Sequence, residues 1–185
     1  PIAEKPFVRS GAATILNPEA TPPTWLSLAL VASMPALQRE RAAFTERLGH
    51  YLSLPTPKKA WALAIGKKKL KPTHILLGDP IECDAKGMPK DLPLALHFLE
   101  MMARIGALKG EAPQLKLFNK LQKDVDETGV WIPKGLRGLP KATSKASYHS
   151  FPLELETKAA EWKQVDVTFR LALIAKLAGL PVEHI

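Results

Sequence analysis

The sequence has little cysteine and no long apolar run. Cys83 is its single cysteine, which excludes an internal disulfide framework and a zinc site built from several thiolates. A free thiol suits a reducing compartment, and no apolar stretch reaches the roughly 20 residues that span a bilayer. The apolar residues 25–34 follow a leader that contains Glu4 and Glu19, which is not typical of a signal peptide. These absences predict a cytoplasmic protein without a membrane partner.

Catalytic motifs are also missing. The sequence contains no HExxH, no Walker loop, no GxGxxG and no nucleophile elbow, and its five histidines are scattered. Asp79, Glu82 and Asp84 stand close to Cys83 and have the residue types of a divalent-cation site, but a polar turn is the simpler explanation. We therefore expect a protein that is not an enzyme and that holds neither a metal nor a cofactor.

Proline, in contrast, is frequent. The 17 prolines predict short elements with irregular connections between them. Five of these prolines fall in residues 1–23, which show no sustained period and predict an extended N-terminal arm. Residues 24–185 predict a single mainly helical domain, with an alternative division near residue 110 and a basic loop over residues 130–152.

Apolar periodicity predicts five helices. The first, over residues 25–34, is apolar on nearly every face, as expected of a buried helix. In residues 91–108 a stripe that includes Leu92, Leu96 and Leu99 predicts the clearest amphipathic helix. The other three helices are predicted over residues 35–54, 113–127 and 153–178.

A small β-hairpin is the one β element that the pattern predicts. Apolar residues 60–65 and 74–77 suit strands, and they flank the lysine-rich turn Gly66-Lys67-Lys68-Lys69. A continuous sheet is not supported. The predicted fold is therefore mainly α with a small β-hairpin, an α+β class with irregular, proline-rich connections.

Positive charge is in excess and unevenly distributed. The net charge of +8 produces a surface potential that attracts polyanions such as nucleic acid. No acidic residue lies between Glu46 and Asp79, whereas six lysines do: Lys58, Lys59, Lys67, Lys68, Lys69 and Lys71. Lysines at the tip and base of a hairpin suit contact with a phosphate backbone. The alternative is that they protect a strand edge from aggregation.

A second acid-free region covers residues 128–153. It holds basic and aromatic residues that together suit nucleic acid: Trp131, Lys134, Arg137, Lys141, Lys145 and Tyr148. We expect the cations to contact phosphates and the rings to stack on unpaired bases. The alternative is a solvated connecting loop that Trp131 and Tyr148 anchor to the core.

Residues 54–77, LPTPKKAWALAIGKKKLKPTHILL, contain a proline-led apolar strand, a Gly/Lys-rich turn and a second strand. In this order of features the stretch resembles the small large-subunit proteins of type IV CRISPR effector complexes. The resemblance implies a subunit at one end of a guide-RNA complex, with Lys67, Lys68 and Lys69 as backbone contacts to the guide or the entering DNA. It covers this stretch alone, without the cysteine-rich zinc module usual in that family.

The charge pattern predicts a non-catalytic nucleic-acid-binding subunit of a ribonucleoprotein assembly, with other protein subunits as partners. The pattern does not distinguish RNA from DNA. A second hypothesis, from a different class, is a helical protein-interaction subunit whose basic loops dock an acidic partner. The proline-rich arm and the apolar residues 25–34 motivate that alternative.

Overall fold

The computed structural model describes residues 6–132 and 162–182 of the chain. This part contains six helices: α1 (Trp25–Ala32), α2 (Pro35–Glu40), α3 (Ala42–Leu52), α4 (Leu92–Arg104), α5 (Pro113–Gln122) and α6 (Trp162–Leu177). It also contains two antiparallel hairpins, β1 (Phe7–Ser10) with β2 (Ala13–Leu16) and β3 (Leu63–Ile65) with β4 (Lys68–Leu70). The predicted α+β class is confirmed, with two hairpins where the sequence indicated one.

Helix α4 lies at the centre of the packing because both of its sides are buried. Its N-cap is Asp91, whose carboxylate accepts a hydrogen bond from the Leu94 N–H at 3.0 Å. One side joins a core cluster with α5, α6 and Trp131, through Leu92, Leu96, Leu99 and Ala103. The other side joins a second cluster with α1 and α3, through Phe98, Met101, Met102 and Ile105. The helix predicted over residues 91–108 is confirmed, and its apolar surface is wider than one stripe.

Helix α1 begins with a capping box. Thr24 Oγ1 accepts a hydrogen bond from the Ser27 N–H at 3.1 Å, and Ser27 Oγ accepts one from the Thr24 N–H at 2.8 Å. Leu28 is fully buried, but Leu26 is 81% and Leu30 is 63% exposed. The prediction of a buried helix is therefore wrong for one face, since α1 lies at the surface and packs on α4 from one side.

The segment predicted as one helix over residues 35–54 is two helices. Helix α2 ends before Arg41 and α3 begins after it, because Arg41 has φ −133° and ψ 42°, outside the helical region. No proline or glycine marks this break, so the apolar spacing alone predicts a continuous helix. Helix α3 packs closely against Ala107 at Gly49, where any larger side chain would clash with Ala107.

Residues 7–16 form a hairpin instead of the extended arm that the proline content predicts. Phe7 pairs with Leu16 at the open end of this hairpin, and Leu16 is buried. The turn contains Gly11 with φ 61°, a conformation that glycine adopts without strain. The prolines of this region lie outside the paired residues, so they flank the hairpin and leave its hydrogen bonds intact.

The lysine-rich hairpin has a different second strand from the predicted one. Strands β3 and β4 are joined by a tight turn of Gly66, with φ 57°, and Lys67. Residues 74–77 instead lie beside the segment before α1, where the Leu76 N–H donates to the Pro23 carbonyl at 2.8 Å. Strand β3 pairs with the nearer residues 68–70 because a two-residue turn fixes fewer residues than a longer loop to residues 74–77 would, and its closure costs less entropy.

The fifth helix, α5, is shorter than predicted. The helix predicted over residues 113–127 ends at Gln122, and Val125 then pairs with Trp131 in an isolated antiparallel bridge. Residues 153–161, where the last predicted helix starts, lie outside the described residues. Most of the predicted basic loop over residues 130–152 also lies outside them.

Candidate nucleic-acid interface

The two hairpins lie side by side and form one basic surface, which we call the double hairpin (residues 7–16 and 61–70). A parallel bridge joins Ile15 of β2 to Ala62, just before β3. The Leu16 N–H donates to the Ala62 carbonyl at 2.9 Å. The hairpins are two separate two-stranded sheets, and this bridge places the residue just before β3 beside β2.

The strand register assigns the side chains of the double hairpin to two faces, because paired residues share a face and successive residues alternate. One face, which we call the ring face, carries Phe7, Arg9, Thr14, Leu16, Trp61, Leu63, Ile65, Lys68 and Leu70. The opposite face carries Val8, Ser10, Ala13, Ile15, Ala62, Ala64 and Lys69. The rings of Phe7 and Trp61, with centroids 5.7 Å apart, agree with this assignment.

All six lysines predicted from the first acid-free region are exposed: Lys58, Lys59, Lys67, Lys68, Lys69 and Lys71. Lys67 occupies the turn, whereas Lys68 and Lys69 lie on β4 and point to opposite faces. The Lys69 ammonium donates to the Ser10 carbonyl at 3.4 Å, which links the two hairpins. Within residues 6–132 and 162–182, none of the six lysines forms an ion pair.

Arg9 belongs to this basic surface although the sequence analysis did not select it. It lies on β1 opposite Thr14 and is exposed. The signal for the first hairpin was present, because two β-prone runs of four residues flank Gly11. The proline content favours an extended arm over residues 1–23 instead, and that prediction includes Arg9.

Exposed apolar side chains help to decide between the two explanations for these lysines. Strand β4 is an edge strand, so lysines there are suited to edge protection as well as to phosphate contact. However, Ile65 is 57% and Leu70 is 48% exposed on the same hairpin. Edge protection does not account for exposed apolar residues beside the lysines, because such residues promote pairing between edges.

The stacking role expected for Trp131 is wrong. Its ring is fully buried in the cluster of α4, α5 and α6, and the backbone N–H of Trp131 donates to Thr168 Oγ1 at 2.9 Å. A ring without exposed surface cannot stack on a base, so Trp131 is an anchor for the chain that enters the second acid-free region. The other residues predicted there lie outside the described residues: Lys134, Arg137, Lys141, Lys145 and Tyr148.

The acidic residues near Cys83 are engaged in local structure. The Asp79 carboxylate accepts hydrogen bonds from the Ile81 N–H and from Gln114 Nε2, both at 2.8 Å, and burial raises its pKa. Asp84 organises a turn by accepting backbone N–H groups, and these hydrogen bonds lower its pKa. Partial burial, followed by the charges of Asp79 and Asp84, raises the pKa of Cys83, which disfavours a nucleophilic thiolate. Among the described residues, no group of three or more histidine, cysteine, aspartate or glutamate side chains is placed to hold a metal ion.

Comparison with known proteins returns no match: no protein-family model, no curated protein and no solved structure matches this chain. In the described ranges, no helix has the length and apolar character to cross a membrane. Function is therefore inferred from the geometry and charge of the double hairpin.

Proposed function

We propose that this chain is a non-catalytic cytoplasmic subunit of a ribonucleoprotein and that it binds the phosphate backbone of nucleic acid through the double hairpin. The observation that carries the proposal is the concentration of exposed cations on the two joined hairpins and directly after them: Arg9, Lys67, Lys68 and Lys69 on the hairpins, and Lys71 next to β4. None of these cations is neutralised by an ion pair within the described part of the chain.

The charges of this surface suit a backbone more than a base sequence. Lysine ammonium groups on flexible stems follow negative charge without demanding a fixed geometry. Residues 47–78 contain no acid that would weaken the local potential. Each phosphate that the surface neutralises releases condensed counterions, so the affinity should fall steeply as salt rises.

A triple charge reversal tests the proposal. Changing Lys67, Lys68 and Lys69 together to glutamate should lower the affinity for an oligonucleotide of about 16 nucleotides by ten-fold or more. The slope of log affinity against log salt should also flatten by about 2, since each lost phosphate contact removes roughly 0.7–0.9 from it. Fluorescence anisotropy titrations at several salt concentrations measure both quantities.

A matched control separates the local surface from the net charge. Lys109, Lys123 and Lys176 are exposed and lie outside the double hairpin, so their joint change to glutamate alters the net charge equally. The control variant should keep most of the affinity. Unchanged binding by the hairpin variant, or equal losses in both variants, would contradict the proposed interface.

A subunit of a type IV CRISPR effector complex is one version of this proposal, supported by the resemblance of residues 54–77 to that family. Nuclease digestion of the material that co-purifies with the native protein tests this version. RNA of one defined length would support a guide-loaded complex. Heterogeneous nucleic acid that moderate salt removes would leave a general backbone binder.

A protein-interaction subunit is the second candidate function, favoured by the outer face of α1. Leu26 and Leu30 are four residues apart on this helix and are 81% and 63% exposed. In this alternative the basic loops dock an acidic protein. A protein partner that survives a high-salt wash free of nucleic acid, and that Leu26→Asp/Leu30→Asp releases, would favour it.

A further inference from the structure

Two aromatic rings lie together on the ring face of the double hairpin. Phe7 is on β1, and Trp61 directly precedes Ala62, which bridges to β2. The ring centroids are 5.7 Å apart and the ring planes are tilted by 43°. Both side chains are half-buried, so part of each residue stays open to solvent. The pair therefore combines a fixed relative position with two residues that are not fully buried.

Both hairpins carry an exposed cation on the ring face. Arg9 is two residues from Phe7 on β1, and Lys68 is on β4. The ring face therefore offers positive charge and aromatic rings within the same two hairpins. This combination suits a single strand, in which phosphates and bases are both accessible.

We propose that the ring face binds single-stranded nucleic acid, with unpaired bases stacked on Trp61 and Phe7 and the backbone beside Arg9 and Lys68. The proposal rests on the backbone-binding function above and adds the strandedness of the substrate. Bases within a duplex stack on one another and do not present their faces to a protein ring. Trp61 and Phe7 thus take the stacking role that the buried Trp131 cannot have.

A purely structural role for the two rings is the competing explanation. Leu16 pairs with Phe7, donates its N–H to the carbonyl of Ala62 next to Trp61, and is only 4% exposed, so the rings are placed to shield it from water. If the rings only shield Leu16, they stabilise the hairpins. The bases of a nucleic acid then make no difference to its affinity for the protein. A measurement that depends on bases, and not on phosphates, separates the two roles.

The experiment compares two single strands of equal length, one ordinary and one in which the central nucleotides lack their bases. Both strands carry the same phosphates, so their difference in affinity reports base stacking alone. The wild-type protein should bind the ordinary strand about ten-fold more tightly than the abasic strand and more tightly than the corresponding duplex. Trp61→Ala should remove this preference while leaving the salt dependence unchanged, and Trp61→Phe should retain most of it.

Two controls keep the result interpretable. Val8→Ser changes an exposed side chain on the opposite face and should leave the preference intact. The triple lysine variant should weaken binding of both strands but preserve their ratio. No binding of either strand by the wild type would overturn the backbone proposal itself. Equal binding of both strands, or a preference that survives Trp61→Ala, would overturn only the stacking proposal.

Discussion

Trp131 has no exposed surface and fills the core cluster between α4, α5 and α6. Replacing it with alanine should destabilise the protein by about 3–5 kcal/mol, because the change removes a large buried side chain and leaves a cavity. Urea unfolding measures this loss. Nucleic-acid affinity of the fraction that stays folded should change little, and a selective loss of affinity without destabilisation would contradict the anchoring role.

His97 is a half-buried residue of α4, with its ring centroid 5.8 Å from that of Trp25. Burial lowers its pKa from the ordinary value of 6.5; Arg170 lowers it further and Glu100 opposes the shift. Below about pH 6.5 the unfolded chain therefore binds a proton that the folded chain does not yet bind, and the free energy of unfolding decreases as pH falls.

The change His97→Gln should reduce this acid sensitivity. Urea midpoints measured from about pH 7.5 down to pH 5 should fall less steeply in the variant than in the wild type. His50→Gln, at an exposed position on α3, is the matched control for the same substitution elsewhere in the chain. Parallel curves for wild type and His97→Gln would contradict the assignment.

At the scale of elements, α1 depends on its capping box. Changing Thr24 to alanine removes the acceptor at 3.1 Å from the Ser27 N–H and should cost about 1 kcal/mol. Thr24→Ser keeps the hydroxyl and should cost much less. Thermal unfolding of the two variants measures the difference, and equal Tm values would show that packing of Leu28 alone holds the helix.

In the lysine-rich hairpin, the local sequence predicts the turn but not the strand that pairs with β3. Gly66 and the residues around it predict a turn, and the structure has one there with φ 57° at Gly66. The partner of β3 was nevertheless predicted wrongly, because residues 68–70 are lysine-rich and lack the apolar character of a usual strand. Residues 74–77 are more apolar, and Leu76 belongs to the core cluster that contains Leu28 of α1.

At the scale of the whole molecule, buried charges join α4 to α6. Arg170 Nε lies 3.0 Å from Asp166 Oδ1, and Arg170 Nη1 lies 3.7 Å from Glu100 Oε2. Arg170 and Asp166 are 4% and 3% exposed. Arg170→Met should cost about 3–5 kcal/mol, because it leaves the Asp166 carboxylate buried without this cation.

A double variant tests this explanation. Asp166→Leu combined with Arg170→Met replaces both charges by apolar side chains and should recover much of the stability that the single change removes. Urea unfolding of the wild type, the two single variants and the double variant gives the coupling energy. Additive losses would contradict a direct interaction between the two side chains.

The sequence by itself determined the features that depend on neighbouring residues: the apolar period of α4, the turn at Gly66 and the excess of lysine between Glu46 and Asp79. Only the tertiary structure decided that Trp131 is buried, that the two hairpins meet through Ile15 and Ala62, and that Phe7 lies against Trp61. Periodicity and turn preference act over a few residues. Burial and strand adjacency depend on how distant segments pack, and a single sequence carries no direct signal for that packing.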